Sequence, residues 1–179
     1  MRVFIAVEVP AEVKMRIHEV AGLLEGRGTT LVRDEAVHVT IEFLGELDEM
    51  AVAEAKAALS EVSFRPFDIR AKGLSCFTPE YIKVIFAKIA GGAEECMELH
   101  RKVAERLVEH KLRLQKEAFV PHITIARVKS DANKYKVLEL LQRYSERDFG
   151  SFGVSKVLLK QSVLTGEGPV YSTLHELKL

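Results

Sequence analysis

An α+β fold made of two pseudo-two-fold related lobes is what the sequence of 179 residues predicts, each lobe an antiparallel sheet with helices on its outer face and a cleft between them. Three observations carry that expectation. Strand and helix patterns alternate along the chain. Short turns join several of the strands, as antiparallel pairing allows. A shift of 84 residues, the spacing from His38 to His122, superposes four features of the first half on the second. Under that shift a helix over 10–26 falls on 94–110, His38 on His122, Thr40 on Thr124, and a helix over 48–60 on 132–144. A unit that long and written only twice is not a solenoid of short stacked repeats, and it reads as an internal duplication. No linker rich in Pro, Gly or Ser separates the copies, so residues 1–179 are expected to form a single two-lobed domain with a catalytic cleft between the lobes.

The elements follow in order. Residues 3–9 are an almost unbroken apolar run and read as a buried strand. Pro10 then opens a helix at a first-turn position, where its missing N–H is no loss, and Gly26-Arg27-Gly28 ends it. A short strand is expected at 31–33. Residues 37–44 form a longer one, with His38, Thr40 and Glu42 on one parity and Val37, Val39, Ile41 and Phe43 on the other. Asp48 is an N-cap for a helix over 48–61. Strands over 64–74 and 81–90 flank the turn Thr78-Pro79-Glu80. The second half continues with a helix over 93–111, a strand over 119–128, a helix over 131–144, and strands near 148–164 and 170–178, with Gly166-Glu167-Gly168-Pro169 as a turn.

Composition excludes several function classes. Lys and Arg together number 26, as do Asp and Glu, so no global positive field exists to wrap long duplexes, and any nucleic-acid contact must be local. Cys76 and Cys96 belong to no CxxC motif, which points to free thiols in a reducing cytoplasm and against a cysteine zinc site. The apolar opening stops at Glu8, too short for a signal segment, and no stretch approaches the ~20 apolar residues of a membrane span. A soluble cytoplasmic protein with no membrane partner is therefore expected. One Asn and three Gln form a depletion of thermolabile amides that accompanies growth at high temperature. The glycine-containing turns lack GxGxxG or Walker spacing, so no nucleotide cofactor is expected.

The chemistry lies in two matching tetrapeptides, His38-Val39-Thr40-Ile41 and His122-Ile123-Thr124-Ile125. With six His and seven Thr, random placement would give about 0.2 such matches. On a strand, the period of two puts each imidazole and the hydroxyl two residues later on one face. If the lobes face each other, two His and two Thr line one cleft. An imidazole pKa near 6.5 lets one ring be neutral and its partner charged, a general base and a general acid on opposite sides of a reacting phosphorus. The threonine hydroxyls would bind non-bridging phosphate oxygens. Two His and two Thr fall short of a metal site, so neither metal nor cofactor is expected; Glu42 is the only carboxylate on these strand faces that could complete a ligand set with both histidines. Arg127 has the wrong parity to share the cleft with Thr124 unless the strand ends or bulges, and its counterpart in the first copy is Phe43. Phe4, Phe43, Phe119 and Tyr171 are candidates to stack a terminal base, although aromatic residues in strands more often belong to the core. His18, His100 and His110 lie in charge-rich helical stretches and are expected to be solvated; His175, like them, has no matching partner.

These motifs, His38-Val39-Thr40-Ile41-Glu42-Phe43-Leu44-Gly45 and Phe119-Val120-Pro121-His122-Ile123-Thr124-Ile125-Ala126-Arg127, together with the opening Phe4-Ile5-Ala6-Val7-Glu8-Val9-Pro10, resemble the two-histidine phosphoesterase superfamily. Within it they are most similar to the RNA 2',3'-cyclic phosphodiesterase (2'-5' RNA ligase) family, over essentially the whole chain. The resemblance implies two antiparallel lobes around a cleft, His38 as proton donor, His122 as proton acceptor, Thr40 and Thr124 as phosphate binders and Arg127 near the phosphate. It further implies an RNA partner bearing a 2',3'-cyclic phosphate end, such as the halves of a cleaved tRNA, handled by a monomer that opens the ring to a 2'-phosphate or joins the end to a 5'-hydroxyl. A non-catalytic RNA-end or tRNA-binding module and a hydrolase of small cyclic phosphates, such as ADP-ribose cyclic phosphate, stand as alternatives.

Overall fold

Apolar and alternating runs become nine strands and four α-helices among the described residues of the computed structural model, which are 1–26, 28–114, 118–166 and 168–179. Arg27 and Glu167, each placed in a turn by the sequence, lie outside the described residues. In chain order the elements are β1 (Arg2–Glu8), α1 (Ala11–Leu24), β2 (Thr29–Leu31), β3 (His38–Glu46), α2 (Glu49–Ser60), β4 (Phe67–Cys76) and β5 (Val84–Gly91). They continue as α3 (Ala93–Glu109), β6 (His122–Val128), α4 (Lys134–Arg143), β7 (Asp148–Val154), β8 (Lys156–Thr165) and β9 (Gly168–Lys178).

Local chemistry explains most boundaries. The Asp48 carboxylate accepts a hydrogen bond from the Ala51 amide at 2.8 Å and caps α2. The strand expected from residue 64 begins instead at Phe67, immediately after Pro66, which has no N–H for a ladder. The strand expected from residue 119 begins at His122, again just after a proline, Pro121. The short strand expected at 31–33 lies at Thr29–Leu31, paired with β6.

All strands join one antiparallel sheet in the order β7-β4-β5-β6-β3-β1-β8-β9, with β2 attached to β6. Four strands on each side form the two lobes, and they meet where Val39 of β3 pairs with Ile123 of β6. The helices cross that seam. Helix α1 follows β1 yet lies against β6 and β7 beside α4, whereas α3 follows β5 and lies against both β3 and β5. A single apolar core runs through both lobes on the helix side, including Ile5, Val39, Ile85 and Ile123 from the central strands and Ile17 and Leu99 from the helices. Each such buried aliphatic side chain contributes about 2 kcal/mol by leaving water. Phe4, Ala6 and Phe86 are also buried but do not join this core, so the central strands are covered on their other face as well.

Candidate active site

The two tetrapeptides lie on β3 and β6, the strands that meet at the seam. Val39 and Ile123 face one another there and point into the helix-side core, both fully buried. Alternation then turns His38, Thr40, His122 and Thr124 to the other face. Continuing the antiparallel register by one residue sets His38 across from Thr124 and Thr40 across from His122, so the two imidazoles lie on a diagonal. Diagonal neighbours in such a ladder stand roughly 7–8 Å apart, and His122 is near enough to lower the pKa of His38.

Each motif carries a β-bulge directly after its threonine. The β1 partner steps from Ala6 to Ile5 while β3 steps from Thr40 to Glu42, leaving Ile41 as the extra residue. On the other strand, β5 steps from Phe86 to Ile85 while β6 steps from Thr124 to Ala126, leaving Ile125 extra. A bulge inverts the alternation beyond it. Phe43 and Arg127 therefore swing onto the histidine face, and Glu42 and Ala126 turn inward. The condition the sequence set for Arg127 is met: its charge lowers the pKa of His122 and acts on Tyr171 as well.

The same bulge overturns the placement of Glu42. Expected beside His38 and Thr40, it is buried on the helix side, where one carboxylate oxygen accepts from His100 Nε2 at 3.0 Å and the other from the Phe43 amide at 3.0 Å. It cannot form a ligand set with the two motif histidines, because it faces away from them. Among the described residues, no group of three or more His, Cys, Asp and Glu is placed to hold a metal ion.

The two imidazoles differ in their surroundings. His38 stacks on Phe4 with centroids 4.9 Å apart and meets the edge of Tyr171 at 5.7 Å. Burial pushes its pKa down to about 4, aided by the charges of Lys160 and Lys14 and opposed by Glu8. Its Nδ1 is buried with no hydrogen-bond partner among the described residues. His122 lies against Phe77 at 5.0 Å and Phe86 at 5.2 Å. Burial lowers its pKa as well, but its Nδ1–H donates to the Val120 carbonyl at 2.7 Å, which favours the cation. That bond fixes the neutral tautomer, leaving the Nε2 lone pair free.

Three of the four base-stacking candidates, Phe4, Phe43 and Tyr171, gather around His38, with Phe4 at 6.0 Å from Phe43 and 5.4 Å from Tyr171. Phe119 does not. It stacks on His100 at 4.3 Å and packs against the helix-side core. The histidines expected to be solvated are engaged: His18 with Asp34 at 2.9 Å, His100 with Glu42, and His110 with Glu54 at 2.8 Å and Glu61 at 3.2 Å. Sequence reasoning did not find Phe77, Phe86 or Lys160. Phe77 follows β4, and only the pairing of β5 with β6 brings Phe86, and with it Phe77, to His122. Lys160 is almost fully buried and donates to Glu8 at 3.0 Å; its place directly after the apolar run Val157-Leu158-Leu159 was the available signal.

A family model for the 2'-5' RNA ligase superfamily matches residues 9–159. The chain belongs to that superfamily. Among its relatives is an RNA 2',3'-cyclic phosphodiesterase of Methanocaldococcus jannaschii, 33% identical over 98% of this chain and 99% of the relative. Another, from Aeropyrum pernix, bears the same name and is 36% identical over 82% of this chain and 84% of its own length. The crystal structure of TT0787 of Thermus thermophilus superposes on 100% of this chain and 98% of its own with a TM-score of 0.83 and 29% identity. Escherichia coli LigT complexed with 3'-AMP superposes on 99% of this chain and 97% of its own with a TM-score of 0.83 at 19% identity, a likeness of fold. The superfamily's two-lobed α+β architecture is thus the architecture of this chain.

Proposed function

We propose that this chain is a cyclic phosphodiesterase that opens a terminal 2',3'-cyclic phosphate on RNA, leaving a 2'-phosphate and a free 3'-hydroxyl. Its membership of the superfamily and the names of its relatives support the enzyme class. The roles rest on one observation above others: the Val120 carbonyl holds the Nδ1–H of His122, so Nε2 presents a lone pair to the cleft. His122 takes a proton from water as that water attacks phosphorus in line with the 3' oxygen. The P–O3' bond breaks, and His38 gives its proton to the departing oxygen. Thr40 and Thr124 donate to the non-bridging oxygens, and Arg127 adds the positive charge their hydroxyls lack.

His38 enters this scheme neutral, because burial and two lysines hold its pKa near 4 in the free protein. The anionic phosphodiester supplies the opposite charge that raises its proton affinity, so the acid becomes charged as substrate binds. If an RNA 5'-hydroxyl replaces water, the same bond breaks and a 2'-5' linkage forms. We take the enzyme to act as a monomer of one two-lobed domain, and RNA ends such as tRNA halves suit a local, phosphate-centred site.

Turnover of a dinucleotide ending in a 2',3'-cyclic phosphate tests the reading. A 2'-phosphate product, formed at undiminished rate in excess EDTA, is the expected outcome. Tight binding without turnover would make the protein a clamp for RNA ends, and a rate lost to chelation and restored by a divalent ion would end the metal-free mechanism.

A further inference from the structure

Glu42 and His100 take no part in that chemistry, yet each lies one step from it. Glu42 is two residues beyond Thr40 in the first motif, and its side chain is only 8% exposed. Both of its oxygens are engaged, one by the Phe43 amide and one by His100 Nε2. Thus anchored, the His100 ring lies nearly parallel to Phe119, 4.3 Å between centroids and 10° between planes. The next residue is Val120, whose carbonyl receives Nδ1–H of His122. Val120 itself is exposed at 48%, and Pro121 after it narrows Val120 to extended backbone without an N–H to bond, so the residue that ties this segment to the helix side is Phe119.

We infer that Glu42, His100 and Phe119 form a positioning relay that holds the Val120 carbonyl on Nδ1 of His122, so that a residue of the first motif sets the tautomer of the histidine in the second. The relay rests on the acid-base reading above. It runs from β3 through α3 to the segment entering β6, crossing the seam on the helix side while the substrate crosses it on the other. The alternative is a buried pair that merely stabilises the fold.

Ring-nitrogen chemical shifts of the ¹⁵N-labelled full-length protein separate the two, since they report which nitrogen of each neutral imidazole carries the proton. In His100→Ala and in Phe119→Leu, His122 is expected to lose its pure Nδ1–H signature while His38 keeps its own. His38 is the internal control, and it lies closer in sequence to Glu42 than His122 does. Turnover of the cyclic-phosphate dinucleotide should fall about 10- to 100-fold in kcat with little change in KM, the loss expected when a reacting group is misplaced. Glu42→Gln can accept from the Phe43 amide through its oxygen and donate its NH2 to the other tautomer of His100, and should preserve the His122 signature; Glu42→Leu should lose it. An unchanged His122 signature in His100→Ala and Phe119→Leu overturns the relay, and so does a matching change at both histidines, which would mean general loosening. If His100→Ala does not fold, Phe119→Leu, which keeps an apolar side chain of similar volume, decides alone. An inactive wild-type protein would count against the proposed function and leave the tautomer comparison fully readable.

Discussion

The His38 lobe and the His122 lobe use the same tetrapeptide on equivalent strands, with a bulge at the same position, and yet prepare their imidazoles differently. One Nδ1 has a carbonyl acceptor and the other has no partner among the described residues. One ring sits between Phe4 and Tyr171 with lysine charges nearby, and the other between Phe77 and Phe86 beside Arg127. Duplicate strand geometry therefore brings two imidazoles to one face of the sheet, while unlike surroundings give them different proton affinities, the difference on which the proposed division into acid and base rests. The residue beyond each bulge extends the contrast: Phe43 offers an aromatic face, Arg127 a charge.

Removing either ring should have the largest effect. His38→Ala and His122→Ala are each expected to lower turnover by about 10²- to 10⁴-fold, the usual contribution of a general acid or base. The double variant should be little worse than the weaker single one, because the pair acts as a unit. A single variant with undiminished turnover would break the comparison outright.

Exchanging the residues beyond the bulges should come next. Arg127→Phe, which gives the second lobe the first lobe's residue, is expected to reduce kcat/KM about 10- to 100-fold, the worth of a charged hydrogen bond to phosphate. It should also let the pKa of His122 rise, since Arg127 holds it down. Phe43→Ala should change kcat/KM less than Arg127→Phe does, chiefly through KM. Equal losses from the two would mean that the asymmetry is decorative.

The smallest effect sharpens the account of His38. Its ordinary pKa of 6.5 drops to about 4 on folding, so between those values the unfolded chain binds a proton that the folded chain does not. Stability is complete above pH 6.5 and falls as the pH drops through that window. His38→Gln should remove roughly 1–2 kcal/mol of the loss between pH 7 and pH 5, read from urea midpoints at the two values. An identical loss in the variant would show that His38 titrates normally in the folded protein.

Much of this was legible in the residues, and what was not has a common cause. The N-cap at Asp48 and the shared face of each His and Thr follow from local pattern, and the structure has both. Glu42 continued the same polar alternation and was misplaced, because a bulge is made by the pairing of two strands and leaves no mark in the alternation of one. Arg127 was ambiguous for the same reason. His100 reads as a surface histidine and Phe119 as a core or base-stacking aromatic, and nothing in the sequence of either pairs the two rings.

The sheet order has a further consequence during synthesis. Strands β4 to β7 complete the His122 side of the sheet with residues 67–154, whereas β1, which precedes all of them in the chain, must pair with β8, with Arg2 opposite Ser162. The lobe that is encoded first is therefore closed last. Until the final hairpin of β8 and β9 is released, Phe4 lacks Tyr171 and the burial of His38 is incomplete. A nascent chain that stops short of β9 thus has the surroundings of His122 in place and those of His38 unfinished.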